Sequence, residues 1–129
     1  NTYHPLPGEF VELLMAVIKE NQMEDFVIIQ SFDFRTLQYL HKHYPNIKTA
    51  MLIEADNKSS FRKQIKDIGF TPTIYSPESS LVIPDLVKEC HDLNMKIIPW
   101  TVNDKKEIER FKKMGVDGII TDYPNLFND

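Results

Sequence analysis

Short apolar runs alternating with amphipathic helical patterns predict a parallel α/β fold for this chain. Two observations carry the prediction. Five apolar runs, Phe26 to Gln30, Ala50 to Ile53, Thr73 to Tyr75, Lys96 to Trp100 and Gly118 to Thr121, are each separated from the next by a helical pattern. Strands so separated cannot pair as hairpins and must join through crossovers. Several runs are also apolar at consecutive positions, as in Val27-Ile28-Ile29, which fits strands buried on both faces. Polar and aromatic residues follow directly on these runs, and in parallel α/β folds ligands bind at the C-terminal ends of strands.

Each element has a local reason. The chain opens on a helical pattern in which Phe10, Leu13, Leu14, Val17 and Ile18 fall on one stripe of a 3.6-residue period. After the first strand, Asp33 is placed to cap a helix carrying Phe34, Leu37 and Leu40. A third helix carries Phe61, Ile65 and Ile68 and stops at Gly69, which tolerates a left-handed C-terminal turn. The fourth opens with Pro84 at a first-turn position and carries Leu86, Val87, Cys90 and Leu93. The fifth starts at Asp104, with Glu107 three residues on in the manner of a capping box, and ends at Gly115. Its apolar stripe is Ile108, Phe111 and Met114.

The order is therefore helix, then strand and helix four times, then strand. Two architectures accommodate it. An open five-stranded doubly wound parallel sheet would be complete at this length. The other is the C-terminal five strands of a (β/α)8 TIM barrel, which needs eight strands and typically about 250 residues. A chain that begins with a helix favours the barrel, because that helix would cross over from a preceding strand. The 129 residues read as a single domain without linker or low-complexity stretch, and Asn1 in place of Met reads as a processed, trimmed or excerpted chain. A net charge of −4 and a pI near 5.5 give no reason to expect nucleic acid or an anionic membrane as partner. No apolar run approaches the roughly 18 residues of a membrane span. The single Cys90 lies in a helical apolar stripe, so it reads as a buried thiol and excludes an internal disulfide.

Candidate functional residues stand at the strand ends. Trp100, preceded by Pro99 and followed by Thr101 and Asn103, presents a flat apolar face among polar neighbours, suited to the carbon skeleton of a glycerol-like ligand. Core packing is the competing reading. Ser31 and Phe32 either line a ligand pocket or serve the turn into the helix capped by Asp33. Glu54 is a strand-end acid that could position a hydroxyl or remain in solvent, and Tyr75 with the following serines offers hydroxyl hydrogen bonds. Asn103 reads as part of a helix cap, and Asp122 as a turn carboxylate or a residue over the strand ends. His4, His41, His43 and His91 read as surface residues: the spacing of His41 and His43 keeps them off a common helix face. There is no His-Glu-x-x-His, Cys pair, Gly-rich phosphate loop or G-x-S-x-G.

Val27–Asp33 (VIIQSFD), Ala50–Glu54 (AMLIE), Ile74–Pro77 (IYSP), Ile97–Asp104 (IIPWTVND) and Gly115–Phe127 (GVDGIITDYPNLF) resemble, in this order, segments of the glycerophosphodiester phosphodiesterase family. The last two are the specific ones. The resemblance implies a (β/α)8 barrel that hydrolyses a glycerophosphodiester to glycerol 3-phosphate and an alcohol such as choline or ethanolamine. It also implies a divalent cation, Mg²⁺ or Ca²⁺, held by carboxylates, with two histidines as acid and base or nucleophile. The family carries that machinery on its first three strands (HRG, PENT, an E-x-D pair, a second His and an E-x-K strand), ahead of the segments matched here. The expectation is a partial barrel with no catalytic and no metal-binding residue of its own. Trp100, Phe32, Ser31 and Tyr75 would then form pocket walls for a small-molecule substrate, and the open barrel would associate with its missing N-terminal half or with a copy of itself. A non-catalytic binding module derived from that barrel is the alternative. A receiver-like open-sheet module is a third reading, but the clustered acids and lysine of its phosphoacceptor site are not found.

Overall fold

A computed structural model describes residues 7–121; the predicted role of Asp122, and the Tyr123-Pro124 that follows it, lie outside them. The elements are α1 (Pro7–Glu20), β1 (Ile28–Ser31), α2 (Phe34–His43), β2 (Lys48–Ile53), α3 (Phe61–Ile68), β3 (Ile74–Pro77), α4 (Pro84–Asp92), β4 (Lys96–Ile97) and α5 (Lys105–Met114), with short 3-10 turns at Glu24–Phe26 and Ser79–Leu81. The starts of α2, α3 and α5 are capped by side chains, the predicted Asp33 and Asp104 among them. The Asp33 carboxylate accepts from Arg35 N at 2.9 Å, Ser60 Oγ from Lys63 N at 3.2 Å, and Asp104 from Lys106 N at 3.0 Å. Gly69 and Gly115 end α3 and α5 at φ of 85° and 87°, the left-handed region that a side chain makes costly. The Glu107 carboxylate turns forward to Arg110 at 2.8 Å, so Asp104 supplies the cap and Glu107 an ion pair along the helix.

All pairings are parallel and the sheet order is β1-β2-β3-β4. A doubly wound sheet reverses its strand order at a switch point, with helices on both faces. Sequential order with right-handed crossovers instead puts every helix on one face. The open doubly wound alternative is thereby set aside, and the sheet is a run of adjacent barrel staves.

Registration sorts the side chains. Ile29 pairs with Thr49, Met51 with Tyr75, and Tyr75 with Ile97, so these face the helices, where Leu37, Leu40, Phe61, Ile68, Leu86, Val87, Cys90 and Phe111 complete the core. The opposite face carries Ile28, Gln30, Lys48, Ala50, Leu52, Ile74, Ser76 and Lys96 by the same register. Among the described residues the crossovers put no helix on that face, and Ile28 is half exposed.

Three expectations are corrected. The first strand begins at Ile28, because Glu24–Phe26 forms a 3-10 turn that leaves Phe26 exposed. In α1 the buried residues are Val11, Met15 and Ile18, while Phe10, Leu13 and Val17 are exposed at 45%, 65% and 56%. The helix is apolar around most of its girth, so periodicity alone did not select the face that meets α2. The fifth run, Gly118–Thr121, forms no regular strand among the described residues. It nevertheless lies alongside β4 and its extension through Asp117 N to Ile97 O (3.0 Å), Ile120 N to Pro99 O (2.9 Å) and Val102 N to Ile120 O (2.8 Å).

Candidate functional site at the strand ends

Continuing each strand past its last paired residue keeps the parity of the sheet. Phe32 follows β1 on the helix-free face, Glu54 follows β2, and Glu78 is bridged to Trp100 beyond β3 and β4. Phe32 and Trp100 therefore belong to the outermost of the four strands. On a flat sheet, strands about 4.8 Å apart would separate the first from the fourth by about 14 Å. The two rings instead meet edge to face, with centroids 5.8 Å apart at 80°. A concave, curled sheet brings them together, which is the geometry of a barrel wall seen from its mouth.

Trp100 is held from several directions. Its Nε1–H donates to Ser76 O at 2.9 Å, its N–H to Pro77 O at 3.1 Å, and its carbonyl accepts from Ser79 N at 2.6 Å. Ser76, fully buried, donates its hydroxyl to Ile98 O at 2.7 Å. The indole is thus fixed by backbone while its ring stays half buried, its edge region shared with the exposed Phe32. This arrangement orients an aromatic surface at no further ordering cost when a ligand packs on it.

Ser31 closes the turn below Phe32 by accepting from Asp33 N at 2.9 Å. It lies on the helix side of the strand by register, beside the aromatic pair and not within it. Tyr75 is not brought to the strand ends at all. It is buried against α3, donating its hydroxyl to Gln64 Oε1 and meeting Phe61 edge to face at 4.9 Å. Burial raises its phenol pKa well above the ordinary value. The parity of β3 explains this: Ser76, not Tyr75, shares the face of Trp100.

Three acids that sequence reasoning treated lightly, or not at all, take part in the rim. The Glu78 carboxylate accepts from Ser80 N at 3.1 Å and from the Ser80 and Ser79 hydroxyls. The Ser80 hydroxyl is the main reason its pKa sits below the usual carboxylate value. Glu78 is a turn cap. Glu54 and Asp56 instead line a groove of about 330 Å³ together with Phe32, Phe34, Leu52 and Asn57. The signal for Asp56 was available in the sequence, since Glu54-Ala55-Asp56-Asn57 crowds polar side chains just past a strand end.

Other predicted residues have structural partners. Asn103 Oδ1 accepts from the Thr121 hydroxyl at 3.0 Å, linking the two family-like motifs to each other. His91 Nε2 lies 2.8 Å from Asp117 Oδ2, which also accepts from Ile97 N at 2.8 Å, and His41 stacks on Phe70 with ring centroids 4.1 Å apart. Among the described residues no three His, Cys, Asp or Glu side chains gather where they could hold a metal ion. Glu54 and Asp56 alone do not make the ligand set a divalent cation needs, so the residues described do not fit the implied metal. No helix among the described residues is long and apolar enough to cross a membrane.

Comparison with known proteins agrees with this geometry. The model of the glycerophosphoryl diester phosphodiesterase family matches residues 8–126. The chain is 35% identical over 113 residues to a glycerophosphodiester phosphodiesterase from Caldanaerobacter subterraneus subsp. tengcongensis, covering 88% of this chain and 45% of that protein. The solved structure of a glycerophosphodiester phosphodiesterase from Parabacteroides distasonis is similar with a TM-score of 0.79 at 26% identity, over 95% of this chain and 51% of that one. A phosphodiesterase from Oleispira antarctica, solved with its product sn-glycerol-3-phosphate, shares the fold with a TM-score of 0.80 at 18% identity, over 96% of this chain and 51% of that one. The chain thus spans about half the length of the relatives it matches. With the family model covering nearly all of it, and a parallel run of barrel staves beneath, this chain belongs to the glycerophosphoryl diester phosphodiesterase family.

Proposed function

We propose that these residues form the C-terminal, substrate-shaping part of a metal-dependent phosphodiesterase that hydrolyses glycerophosphodiesters to glycerol 3-phosphate and an alcohol. The observation that carries this reading is the Phe32–Trp100 pair. It joins the tips of the first and last of the four strands into one aromatic wall, in a chain of this family. The Oleispira relative binds sn-glycerol-3-phosphate, and a glycerol backbone offers the apolar C–H face that a fixed indole packs well. In this reading Trp100 and Phe32 hold the carbon skeleton, Ser76 and the backbone after β3 fix the indole, and Ser31 sets the turn that presents Phe32. Acid–base groups and metal ligands would come from barrel strands outside these 129 residues, which would also cover the free edge of β1.

Two measurements test it. The purified 129-residue chain, supplied with Mg²⁺ or Ca²⁺, is expected to release no glycerol 3-phosphate from glycerophosphocholine; appreciable release would overturn the assignment of catalysis to other strands. In a chimera where this chain replaces the matching segment of the Caldanaerobacter relative, Trp100→Ala is expected to lower kcat/KM by about tenfold to a hundredfold, the range a single packing group supplies. An unchanged kcat/KM would remove Trp100 from the substrate wall.

A further inference from the structure

Proline is kept to edge strands, first residues and bulges of sheets, because it has no N–H to give the ladder. Pro77 departs from that rule: it ends β3, a strand with β2 on one side and β4 on the other. The register identifies the acceptor it leaves without a donor. Ile98 N donates to Tyr75 O at 3.0 Å, Trp100 N to Pro77 O at 3.1 Å, and Ser79 N to Trp100 O at 2.6 Å. Bonds in a parallel ladder are evenly spaced, so the rung between the first two would run from the nitrogen of residue 77 to Ile98 O. Proline cannot supply it.

The residue before the proline fills that rung. Ser76 is buried, and its hydroxyl donates to Ile98 O at 2.7 Å. Its carbonyl accepts from Trp100 Nε1 at 2.9 Å. One residue thus ties β3 to the strand extension that carries Trp100 and also holds the indole nitrogen. A buried acceptor stripped of its donor bears the full desolvation penalty of the group. Without the hydroxyl, Ile98 O would regain a partner only through an intruding water or a shift of the backbone two residues before Trp100. Either change displaces the ring, because that backbone and Ser76 O together set its place.

We infer that Ser76 is a positioning residue of the aromatic wall: its hydroxyl replaces the N–H that Pro77 lacks, and through that bond it sets where Trp100 stands and how the ring meets Phe32. The donor replacement rests on the strands alone; its effect on turnover rests on the hydrolase reading above.

The test has one arm for each. Trp100 is the only tryptophan of the chain, so its near-ultraviolet circular dichroism and its quenching by acrylamide report the placement of this ring without any catalysis. In the 129-residue chain, Ser76→Ala is expected to fold, to weaken the tryptophan dichroism band and to raise the quenching. Adding Pro77→Ala puts a backbone N–H back at the vacant rung, so the double variant is expected to return both signals to those of the parent. Pro77→Ala alone should leave them unchanged. The inference is overturned by a folded Ser76→Ala chain with parental signals, by a double variant no closer to the parent than the single one, or by a displaced indole in Pro77→Ala alone. If Ser76→Ala does not fold, the double variant decides: parental signals support the donor replacement, and an unfolded chain or a displaced indole overturns it. In the chimera, kcat/KM for glycerophosphocholine should fall by about fivefold in Ser76→Ala, since the ring is displaced and not removed, and should recover in the double variant. An unchanged kcat/KM with the indole displaced overturns the positioning role while the donor replacement stands. A folded chimera that cleaves no substrate overturns the hydrolase reading, and the spectra then decide the donor replacement by themselves.

Discussion

At the scale of single residues, what a side chain does here is decided by which face of the sheet it leaves from. Tyr75 and Ser76 are neighbours in sequence, yet one is locked against Gln64 under α3 and the other helps fix Trp100 at the strand ends. Trp100 and Phe32 were legible as strand-end aromatics because one closes an apolar run and the other stands two residues past one. Tyr75 was misplaced because the length of the β3 ladder, and with it the parity of the pleat, is set by pairing with β2 and not by β3's own residues. Cys90 was legible as buried from its helical stripe, and the structure gives the consequence. Desolvation, with Glu89 and Asp117 adding to it, pushes its pKa up to about 12, so almost no thiolate exists near neutral pH. A thiol-directed chromogenic reagent is expected to leave Cys90 unmodified in the folded chain and to react stoichiometrically once denaturant is added. Rapid reaction under native conditions would show that the α4 side of the core opens readily.

At the scale of elements, caps and stops were read correctly where a single residue type decides them. Asp33, Asp104, Gly69 and Gly115 each perform a local task that does not depend on the rest of the fold. A Cβ on Gly69 or Gly115 would meet no atom within 4 Å, so Gly→Ala at either site isolates the cost of the left-handed turn, an expected loss of about 1–2 kcal/mol by chemical denaturation. The orientation of α1 was not legible, for the opposite reason. Its apolar residues encircle it, and what holds it is tertiary: Val11, Met15 and Ile18 are buried, and Glu12 accepts hydrogen bonds from the hydroxyls of Tyr39 and Tyr44 on and just past α2. Those bonds, Tyr39 first, hold the Glu12 carboxyl below its ordinary pKa of 4.5. Because the folded pKa is depressed, the stabilisation is present in full above the ordinary value and is lost as pH falls through the lowered one. Thermal melts between about pH 6 and 3 should therefore show a decline in acid that Glu12→Gln makes shallower. An identical pH profile in that variant would show that α1 is held by its apolar contacts alone.

For the molecule as a whole, the fold class and strand order follow from alternation of periodicities, and the choice of barrel staves over an open sheet follows from sequential strand order. The shape of the site required more: only a curled sheet brings residues 32 and 100 into contact. Among the described residues β1 is an edge strand, and Phe10, Leu13, Val17, Phe26 and Ile28 are exposed. A free strand edge and exposed apolar side chains invite pairing. Light scattering of the isolated chain is accordingly expected to show concentration-dependent association, whereas a monomer stable to dilution would show that the sheet is self-sufficient. The central claim, that these residues are the substrate wall of a phosphodiesterase barrel, is tested most directly by assaying the chimera with the Caldanaerobacter relative for glycerol 3-phosphate release from glycerophosphocholine. Turnover by a monomeric, folded chimera, lost in large part on Trp100→Ala, is the predicted result; a monomeric, folded chimera that releases no product would contradict it.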